Sequence, residues 1–314
     1  MTEHIPLKGF TQQRKMDLDE LAVLRRKSDR ASGCTLLVDT AGKHTRSVFE
    51  STGRPPVTIF TLGRFSFLIN GKQADFSRKA PKRPLELLKA IIAQGGREIS
   101  ISRLTVLLWP DVDGDKATRT FNTTLHRLRK ILGNDHALVL RDGKLSLDPR
   151  HCWVDVWAFE KLLGGSRQLL RDTANSHQVY LLGKLTENLL VLYQDHFLIG
   201  EDVTSWSVSL QERLRHKIIH HLIEIGRFWE THGCWEQATE CYQKGIDLDD
   251  LVEVFYQRLM NCYLETHRLS EGMSIYRRCR HTLLIKLSLQ PEPETESVYM
   301  ALKNERSGKQ EAVN

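Results

Sequence analysis

Between residues 117 and 132 the sequence alternates apolar and polar positions with the period of an α-helix. Apolar residues recur there at the spacing that places side chains on one side of a helix. These residues are Phe121, Leu125, Leu128 and Leu132. The other side is basic, because no aspartate or glutamate occurs between Lys116 and Asn134, whereas a solvated helix normally interleaves acids with bases. The pattern therefore predicts a helix with one buried face and one positively charged face.

Two further helices are predicted before this one. Residues 81–94 carry leucines and isoleucines at helical spacing and end at Gly95-Gly96, which favours a helix stop. Residues 102–109 fit a second, short helix that ends at Pro110. Asp115 is expected to cap the third helix and to place negative charge at its positive end.

Alternation with a period of two predicts β-structure on both sides of the three helices. Residues 57–76 alternate around Gly63 and Asn70-Gly71, which predicts a small antiparallel sheet. Residues 137–148 alternate around Asp142-Gly143, a dipeptide typical of the type I′ turn of a hairpin. The fold class that follows is mostly α with a small β part.

The order of sheet, three helices and hairpin, together with the run TRTFNTTLHRLRKILG, resembles the winged-helix domain of OmpR/PhoB-type response regulators. In that family the third helix enters the major groove of DNA, and the hairpin, or wing, contacts the adjacent minor groove. The resemblance implies promoter binding by the outward side chains of the third helix and by the wing tip. The candidate DNA-binding residues are Lys116, Arg119, Asn122, Thr123, His126, Arg127, Lys130, Arg141 and Lys144.

The segment after the hairpin, WVDVWAFEKLL, departs from those regulators, whose hairpin ends in a Gly-Tyr-aromatic strand. It resembles the bacterial transcriptional activator domain proteins, which include actinomycete antibiotic-regulatory activators. In them a winged helix is fused to a tetratricopeptide-like helical domain. The resemblance covers roughly residues 57–302 and implies a transcriptional regulator, an activator, whose helical half associates with RNA polymerase or with another protomer.

The second half of the chain repeats with a period of 34 residues, which is typical of tetratricopeptide units. The first unit places small and aromatic residues at Gly226, Trp229, Ala238 and Tyr242. The shifted positions are Met260, Tyr263, Gly272 and Tyr276. Only Met260 departs from the small or aromatic character. A final helix is expected to begin at Glu292 or Glu294, and Ser288 stands where the family usually has glycine.

These observations predict four parts. Residues 1–55 form a flexible or partly helical arm, 56–156 a winged-helix DNA-binding domain with α and β structure, 157–304 an all-α tetratricopeptide-like activator domain, and 305–314 a tail.

Charge is concentrated in the predicted DNA-binding part. The chain has a net charge of +6, and residues 57–150 hold 17 lysines and arginines against 9 aspartates and glutamates. The remainder is slightly acidic, at −2. This distribution favours double-stranded DNA as the partner of one part and a protein as the partner of the other. No run of about 20 apolar residues predicts a membrane span, and we expect a cytoplasmic protein.

Few residues indicate catalysis or metal binding. The six cysteines form no CxxC pair, and nothing in the spacing of His220-His221 and Cys234 indicates a metal site. Gly42-Lys43 is followed by His44, so the phosphate-binding loop motif is incomplete. The sequence therefore predicts a protein that is not an enzyme and that holds no cofactor or metal.

Simpler interpretations stand beside these predictions. The basic stripe of the third helix is also compatible with a solvated face, in which case the winged helix does not bind DNA and the repeats act as an interaction scaffold. Arg129 points partly away from the stripe and is expected to be structural. A ligand sensor is a third class of function, for which the sequence shows no convergent polar cluster.

Overall fold

The computed structural model describes residues 55–74, 81–171 and 176–311. Its helices are α1 (Lys82–Ala93), α2 (Ile101–Leu108), α3 (Gly114–Leu132), α4 (Asp155–Arg171), α5 (Ser176–Leu192), α6 (Ser205–Thr231), α7 (Trp235–Leu248), α8 (Glu253–Glu265), α9 (Leu269–Leu287) and α10 (Pro293–Glu311). Its strands are β1 (Val57–Phe60), β2 (Ser66–Ile69), β3 (Lys72–Gln73), β4 (Ile99–Ser100), β5 (Leu138–Arg141), β6 (Lys144–Leu147) and β7 (Cys152–Val154). The arm predicted over residues 1–55 lies outside the described residues, apart from Pro55, as do Cys34 and Gly42-Lys43.

One sheet of the described residues has the strand order β3-β2-β1-β7. β1 pairs antiparallel with β2, and the chain turns between β2 and β3 through positive φ angles at Asn70-Gly71. These three strands confirm the predicted antiparallel sheet. β7 is not predicted by the sequence, and it pairs parallel with β1, with Cys152 opposite Val57. A three-residue strand whose partner is distant in sequence leaves no periodic signal.

The predicted hairpin is formed by β5 and β6, and β4 adds a third, unpredicted strand beside β6. Asp142 and Gly143 both have positive φ angles, as the type I′ turn requires. The N–H of Ile101, the first residue of α2, donates to the carbonyl of Gly143 at 2.9 Å. This bond holds the tip of the hairpin next to the start of α2.

The helices α1, α2 and α3 pack against one another around a shared core. Leu88 and Ile91 of α1, Leu104 of α2 and Leu128 of α3 are fully buried. Each side chain of this size stabilises the fold by roughly 1.5–3 kcal/mol when it leaves water. The predicted helices are thus present, and the apolar face of α3 fixes its orientation.

The predicted cap of α3 is wrong by two residues. Asp113 is the N-cap residue, and its carboxylate accepts a hydrogen bond from the N–H of Gly114 at 2.9 Å. Asp115 lies in the first turn instead, where its charge still meets the positive end of the helix dipole.

The helices of the second half pack in chain order, α6 on α7, α7 on α8 and α8 on α9, and α10 packs on both α8 and α9. Positions related by the period of 34 residues lie in equivalent helices. Gly226 and Tyr242 lie in α6 and α7, and Met260 and Tyr276 lie in α8 and α9. Gly226 touches the ring of Tyr242, and a larger residue at position 226 would overlap that ring. Close helix packing therefore explains this glycine.

The turn between α9 and α10 keeps a left-handed backbone without a glycine. Ser288 has a φ angle of +57°, and its N–H donates to the carbonyl of Leu284 at 3.1 Å. α10 begins at Pro293, between the two predicted starts Glu292 and Glu294. Proline suits the first position of a helix, because the N–H that it lacks would have no partner there.

Asp155, the first residue of α4, joins the sheet to the helical half. Its buried carboxylate accepts hydrogen bonds from the N–H and the hydroxyl of Thr61 and from the N–H groups of Leu62 and Val156. Burial raises the pKa of Asp155, and the hydrogen bonds oppose that rise. The carboxylate therefore fixes the start of α4 to the loop after β1.

Residues 193–204, the connector between α5 and α6, form a second junction with the first sheet. The N–H of Leu198 donates to the carbonyl of Thr61 at 2.8 Å, and the N–H of Ile199 donates to the carbonyl of Gly63 at 3.1 Å. Side chains of the connector also reach α1, as described below.

The predicted fold class is confirmed, since the described residues are mostly helical and the strands lie before residue 155. α10 continues to Glu311, past residue 304, where the sequence predicts that the helical domain ends. None of the described helices combines the length and apolar character that a membrane crossing requires.

Candidate nucleic-acid interface

The third helix presents two chemically distinct faces. Phe121, Leu125, Leu128 and Leu132 are buried, as their spacing predicts. All seven candidate residues of α3 are exposed, which includes Asn122 on the flank of the helix. The buried face anchors the helix, and the polar face is free to meet a ligand.

The ends of α3 are stabilised by residues that do not belong to its exposed face. Asp113 caps the N-terminus, and Gly133 ends the helix in a left-handed conformation with a φ angle of +61°. Arg129 lies in the last turn, where a cation interacts favourably with the helix dipole. Its guanidinium donates to the carbonyl of Leu138 at 3.2 Å. Arg129 thus holds the hairpin to α3, in agreement with the structural role that the sequence predicts.

The cations of this surface have no acidic partners among the described residues. None of the four lysines and arginines on the exposed face of α3, and neither of the two at the hairpin tip, forms an ion pair with a described residue. They are Lys116, Arg119, Arg127, Lys130, Arg141 and Lys144. Like charges on one face of a helix repel one another. An anionic ligand would relieve that repulsion.

The hydroxyl groups of the α3 threonines donate hydrogen bonds to backbone carbonyls of the same helix. Thr118 and Thr123 donate to the carbonyls of Gly114 and Arg119, at 2.9 Å and 3.0 Å. The hydroxyl oxygen of Thr123 can therefore still accept a hydrogen bond, but its proton is not free to reach a phosphate. In this rotamer Thr123 presents an acceptor oxygen and a methyl group on the exposed face of α3.

At the hairpin tip two cations lie directly across from one another. Arg141 pairs with Lys144 in the β5–β6 register, and both are exposed. Like charges in directly opposite positions destabilise a hairpin. The bond from Ile101 to Gly143 fixes the tip near α2, so the two cations are presented from a supported turn.

The lysines of α1 differ from those of α3, because Lys82 and Lys89 form ion pairs with carboxylates of the connector. Lys82 Nζ lies 2.8 Å from a carboxylate oxygen of Asp202, and this hydrogen bond raises the pKa of Lys82. Lys89 Nζ lies 2.6 Å from Glu201 and 4.5 Å from the centre of the Phe65 ring. Its side chain is only 10% exposed. The sequence gives no signal for these pairs, since their partners are distant along the chain.

No alternative site of comparable character is found in the described part of the chain. No group of three or more described His, Cys, Asp and Glu residues is arranged to hold a metal ion. Burial raises the pKa of Cys152, Cys241, Cys262 and Cys279 to about 12, which makes these thiols poor nucleophiles at neutral pH.

An open cavity of about 550 Å³ lies beside the ends of α7 and α9. Its cations are already paired with neighbouring aspartates. Arg215 pairs with Asp249, Arg278 with Asp247, and Lys286 with Asp250. The cavity therefore offers no unpaired charge from these residues to a ligand.

Comparison with known proteins finds that the helical half is similar to a domain of transcriptional activators. Residues 154–303 match the family model of the bacterial transcriptional activator domain. Comparison with curated proteins gives no match. Among solved structures, the fold is similar to that of Mycobacterium tuberculosis EmbR in complex with a low-affinity phosphopeptide, with a TM-score of 0.59 at 15% sequence identity.

The alignment with EmbR covers 80% of this chain and 65% of that one. The chain therefore spans less than two thirds of the length of the EmbR chain. At this identity the similarity concerns the fold, which continues across both halves of the chain. The family model, by contrast, matches only the second half of the chain.

Proposed function

We propose that this chain is a sequence-specific DNA-binding transcriptional regulator, an activator, and that it catalyses no reaction. Its residues 56–156 act as a winged helix of the OmpR/PhoB type. α3 enters the major groove of promoter DNA, and the β5–β6 hairpin serves as the wing. The tetratricopeptide-like helices after residue 156 contact a protein partner, either RNA polymerase or another protomer.

One observation carries the DNA-binding part of the proposal. α3 and the hairpin tip expose six cations that have no acidic partner among the described residues, on a helix whose opposite face is buried. Phosphates supply most of the affinity of proteins for DNA through such contacts. The buried face keeps the cationic face in one orientation, so a groove contact would not require the helix to reorganise.

The candidate residues divide by what their groups can recognise. Arg119 and Arg127 are suited to bidentate contacts with guanine, and Asn122 to adenine. Lys116 and Lys130 provide point charges for phosphates, which add affinity without sequence information. His126 and Thr123 complete the α3 surface, and Arg141 and Lys144 act from the wing.

The activator role rests on the helical half. The matched family model is that of a transcriptional activator domain. The EmbR structure was solved in complex with a phosphopeptide. In this chain we assign the protein contact to the helices after residue 156. Many of their cations form ion pairs with carboxylates of the same half, and so offer less unpaired charge to DNA than α3 does.

Selection of bound sequences from random duplex DNA tests the proposal. The full chain is bound to the pool, and the enriched sequence is then titrated against scrambled DNA at two salt concentrations. We expect a short motif that binds at least about a thousandfold more tightly than scrambled DNA, with affinity that falls as salt rises.

The control is the folded Arg119→Ala/Arg127→Ala chain, which should enrich no motif. A folded wild-type chain that also enriches none would contradict the proposal. That result would favour the alternative, a helical-repeat scaffold with a winged helix that does not bind DNA.

A further inference from the structure

The C-terminal end of α9 and the turn after it expose four large apolar side chains. Leu284, Ile285, Leu287 and Leu289 are 49%, 66%, 45% and 57% exposed. We call these four residues the α9 patch. Single exposed apolar residues are common on protein surfaces, whereas several grouped together indicate an interaction site.

The packing of α9 explains why the patch remains open. Tyr276, Cys279 and Leu283 occupy the buried face of α9, and they are covered by α8 and α10. The patch lies outside that face. Within the residues that the structure describes, the side chains of the patch therefore lack the burial that their neighbours on α9 have.

Along α9 itself the charge after Glu271 has a single sign. No aspartate or glutamate occurs between Gly272 and Pro291. Arg277, Arg280 and His281 are exposed and precede the patch on α9. No ion pair to a described carboxylate is found for any of these three side chains. Arg277 and Arg280 thus border the apolar patch without an ion-pair partner among the described carboxylates, and an acidic partner could supply one.

On the opposite flank the charges are already satisfied. Lys286 lies 2.6 Å from Asp250, and Arg278 lies 3.7 Å from Asp247. These pairs belong to the wall of the open cavity beside α7. A ligand on the patch would therefore extend along α9 toward Arg277 and Arg280, and not toward the cavity.

We propose that the α9 patch and its neighbouring arginines form the docking site for an acidic protein segment that carries large apolar side chains. The leucines and Ile285 would take the apolar side chains of the segment, and Arg277 and Arg280 would pair with its carboxylates. This assignment names the chemistry of the protein partner and rests on that half of the proposed function. It does not depend on whether α3 binds DNA.

Charge distinguishes this occupant from a second copy of the chain. In a symmetric contact through the patch each copy presents the same surface, and α9 supplies no aspartate or glutamate after Glu271 to meet Arg277 and Arg280 of the other copy. An acidic partner does supply such groups, and its carboxylates gain from Arg277 and Arg280 as its apolar groups leave water.

Peptide selection tests the site directly, because the selected sequences themselves reveal the chemistry that binds there. Random peptides of about 16 residues, long enough for a helix or a strand to span the patch, are displayed on phage and selected on the immobilised full chain. The pool is compared with one selected on the Ile285→Glu chain. We expect peptides enriched in Asp and Glu, with two or more large apolar residues, that appear only on the wild-type chain.

The best peptide is then synthesised and titrated by fluorescence anisotropy. Ile285→Glu should weaken binding at least about tenfold, and Leu289→Ser, which adds no charge, about threefold or more. Arg280→Ala should weaken binding at low salt and reduce its salt dependence. Val203→Glu is the matched control, because Val203 is an exposed apolar residue on the connector, and it should leave the affinity unchanged.

Each contrary result has a definite meaning. A selected pool without acidic residues, or equal binding by the wild-type and Ile285→Glu chains, overturns the proposal. Concentration-dependent dimerisation that Ile285→Glu abolishes, measured by sedimentation without peptide, would assign the patch to a second copy instead. Binding of the patch to anionic vesicles but to no peptide would assign it to a membrane surface. Unchanged thermal unfolding of the variants shows that they are folded.

Discussion

Two helices of the same half of the molecule, α1 and α3, both carry cations but use them differently. On α1, Lys82 and Lys89 pair with Asp202 and Glu201 of the connector. On α3, the cations of the exposed face have no acidic partner among the described residues. The first set joins two parts of the chain, whereas the second is available to an external anion.

The difference shows that the number of basic residues alone does not locate a DNA-binding surface. An excess of positive charge in residues 57–150 includes lysines that hold the connector in place. What separates the two sets is the presence of a carboxylate within ion-pair distance. Substitutions on α3 should therefore change binding, and those on α1 should change stability.

The largest effect is expected from the Arg119→Ala/Arg127→Ala chain. Each arginine that makes a bidentate base contact contributes about 1–3 kcal/mol of discrimination, so affinity for the selected DNA site should fall by at least about 100-fold. The unfolding temperature should not change, since both side chains are exposed. Titration by fluorescence anisotropy measures the affinity.

Arg213→Ala, at an exposed position of α6, is the matched control and should bind as the wild type does. Tight, specific binding by a folded double variant would remove Arg119 and Arg127 from the interface.

Glu201→Gln should have the opposite effect to Arg119→Ala/Arg127→Ala. It should lower the stability of the chain and leave its DNA binding intact. Lys89 would lose its carboxylate while its side chain remains almost buried. A buried charge without a partner is destabilising, here by about 2 kcal/mol because Glu201 itself is partly solvated. Urea unfolding measures this loss, and affinity for the selected DNA should change less than about twofold.

Replacing both partners tests the cause of that loss. The Lys89→Met/Glu201→Gln chain should regain most of the stability, since no charge is then left unpaired. If Glu201→Gln is as stable as the wild type, the pair does not join the connector to α1.

Two histidines differ in burial: His126 lies on the exposed face of α3, whereas His221 lies in the core of α6. Neither ring nitrogen of His221 has a hydrogen-bond partner among the described residues, and burial lowers its pKa from 6.5 to about 4. Between these values the unfolded chain binds more protons than the folded chain. Stability should therefore fall as the pH drops from about 6.5 to about 4, by about 1–2 kcal/mol between pH 7 and pH 5.

His221→Leu should remove this contribution and gain on the order of 1 kcal/mol at pH 7, because no buried polar group is left without a partner. Urea unfolding at a series of pH values makes the measurement. A His221→Leu chain with the same pH profile as the wild type would show that other groups determine the acid sensitivity.

Local periodicity predicted the elements that carry the candidate interface. The buried face of α3 follows from the spacing of Phe121 to Leu132, and the hairpin follows from alternation around Asp142-Gly143. Both signals lie within one element and its neighbouring turn. The exposure of the α3 candidates follows from the same periodicity, because residues opposite a buried stripe face solvent.

Features that depend on distant residues could not be predicted in this way. The pairing of β7 with β1, the bonds of Asp155 to Thr61 and the ion pair of Lys89 with Glu201 all join segments far apart in sequence. The sequence therefore indicated that residues 57–150 are basic but did not separate the paired lysines of α1 from the unpaired cations of α3.

The most direct test of this distinction is the salt dependence of DNA affinity in two matched chains, Lys116→Ala/Lys130→Ala on α3 and Lys82→Ala on α1. Each phosphate contact contributes about 0.9 to the slope of log affinity against log salt. We predict that the α3 variant loses about 2 units of slope, and that Lys82→Ala keeps the wild-type slope. A reduced slope for Lys82→Ala with an unchanged slope for the α3 variant would contradict the account.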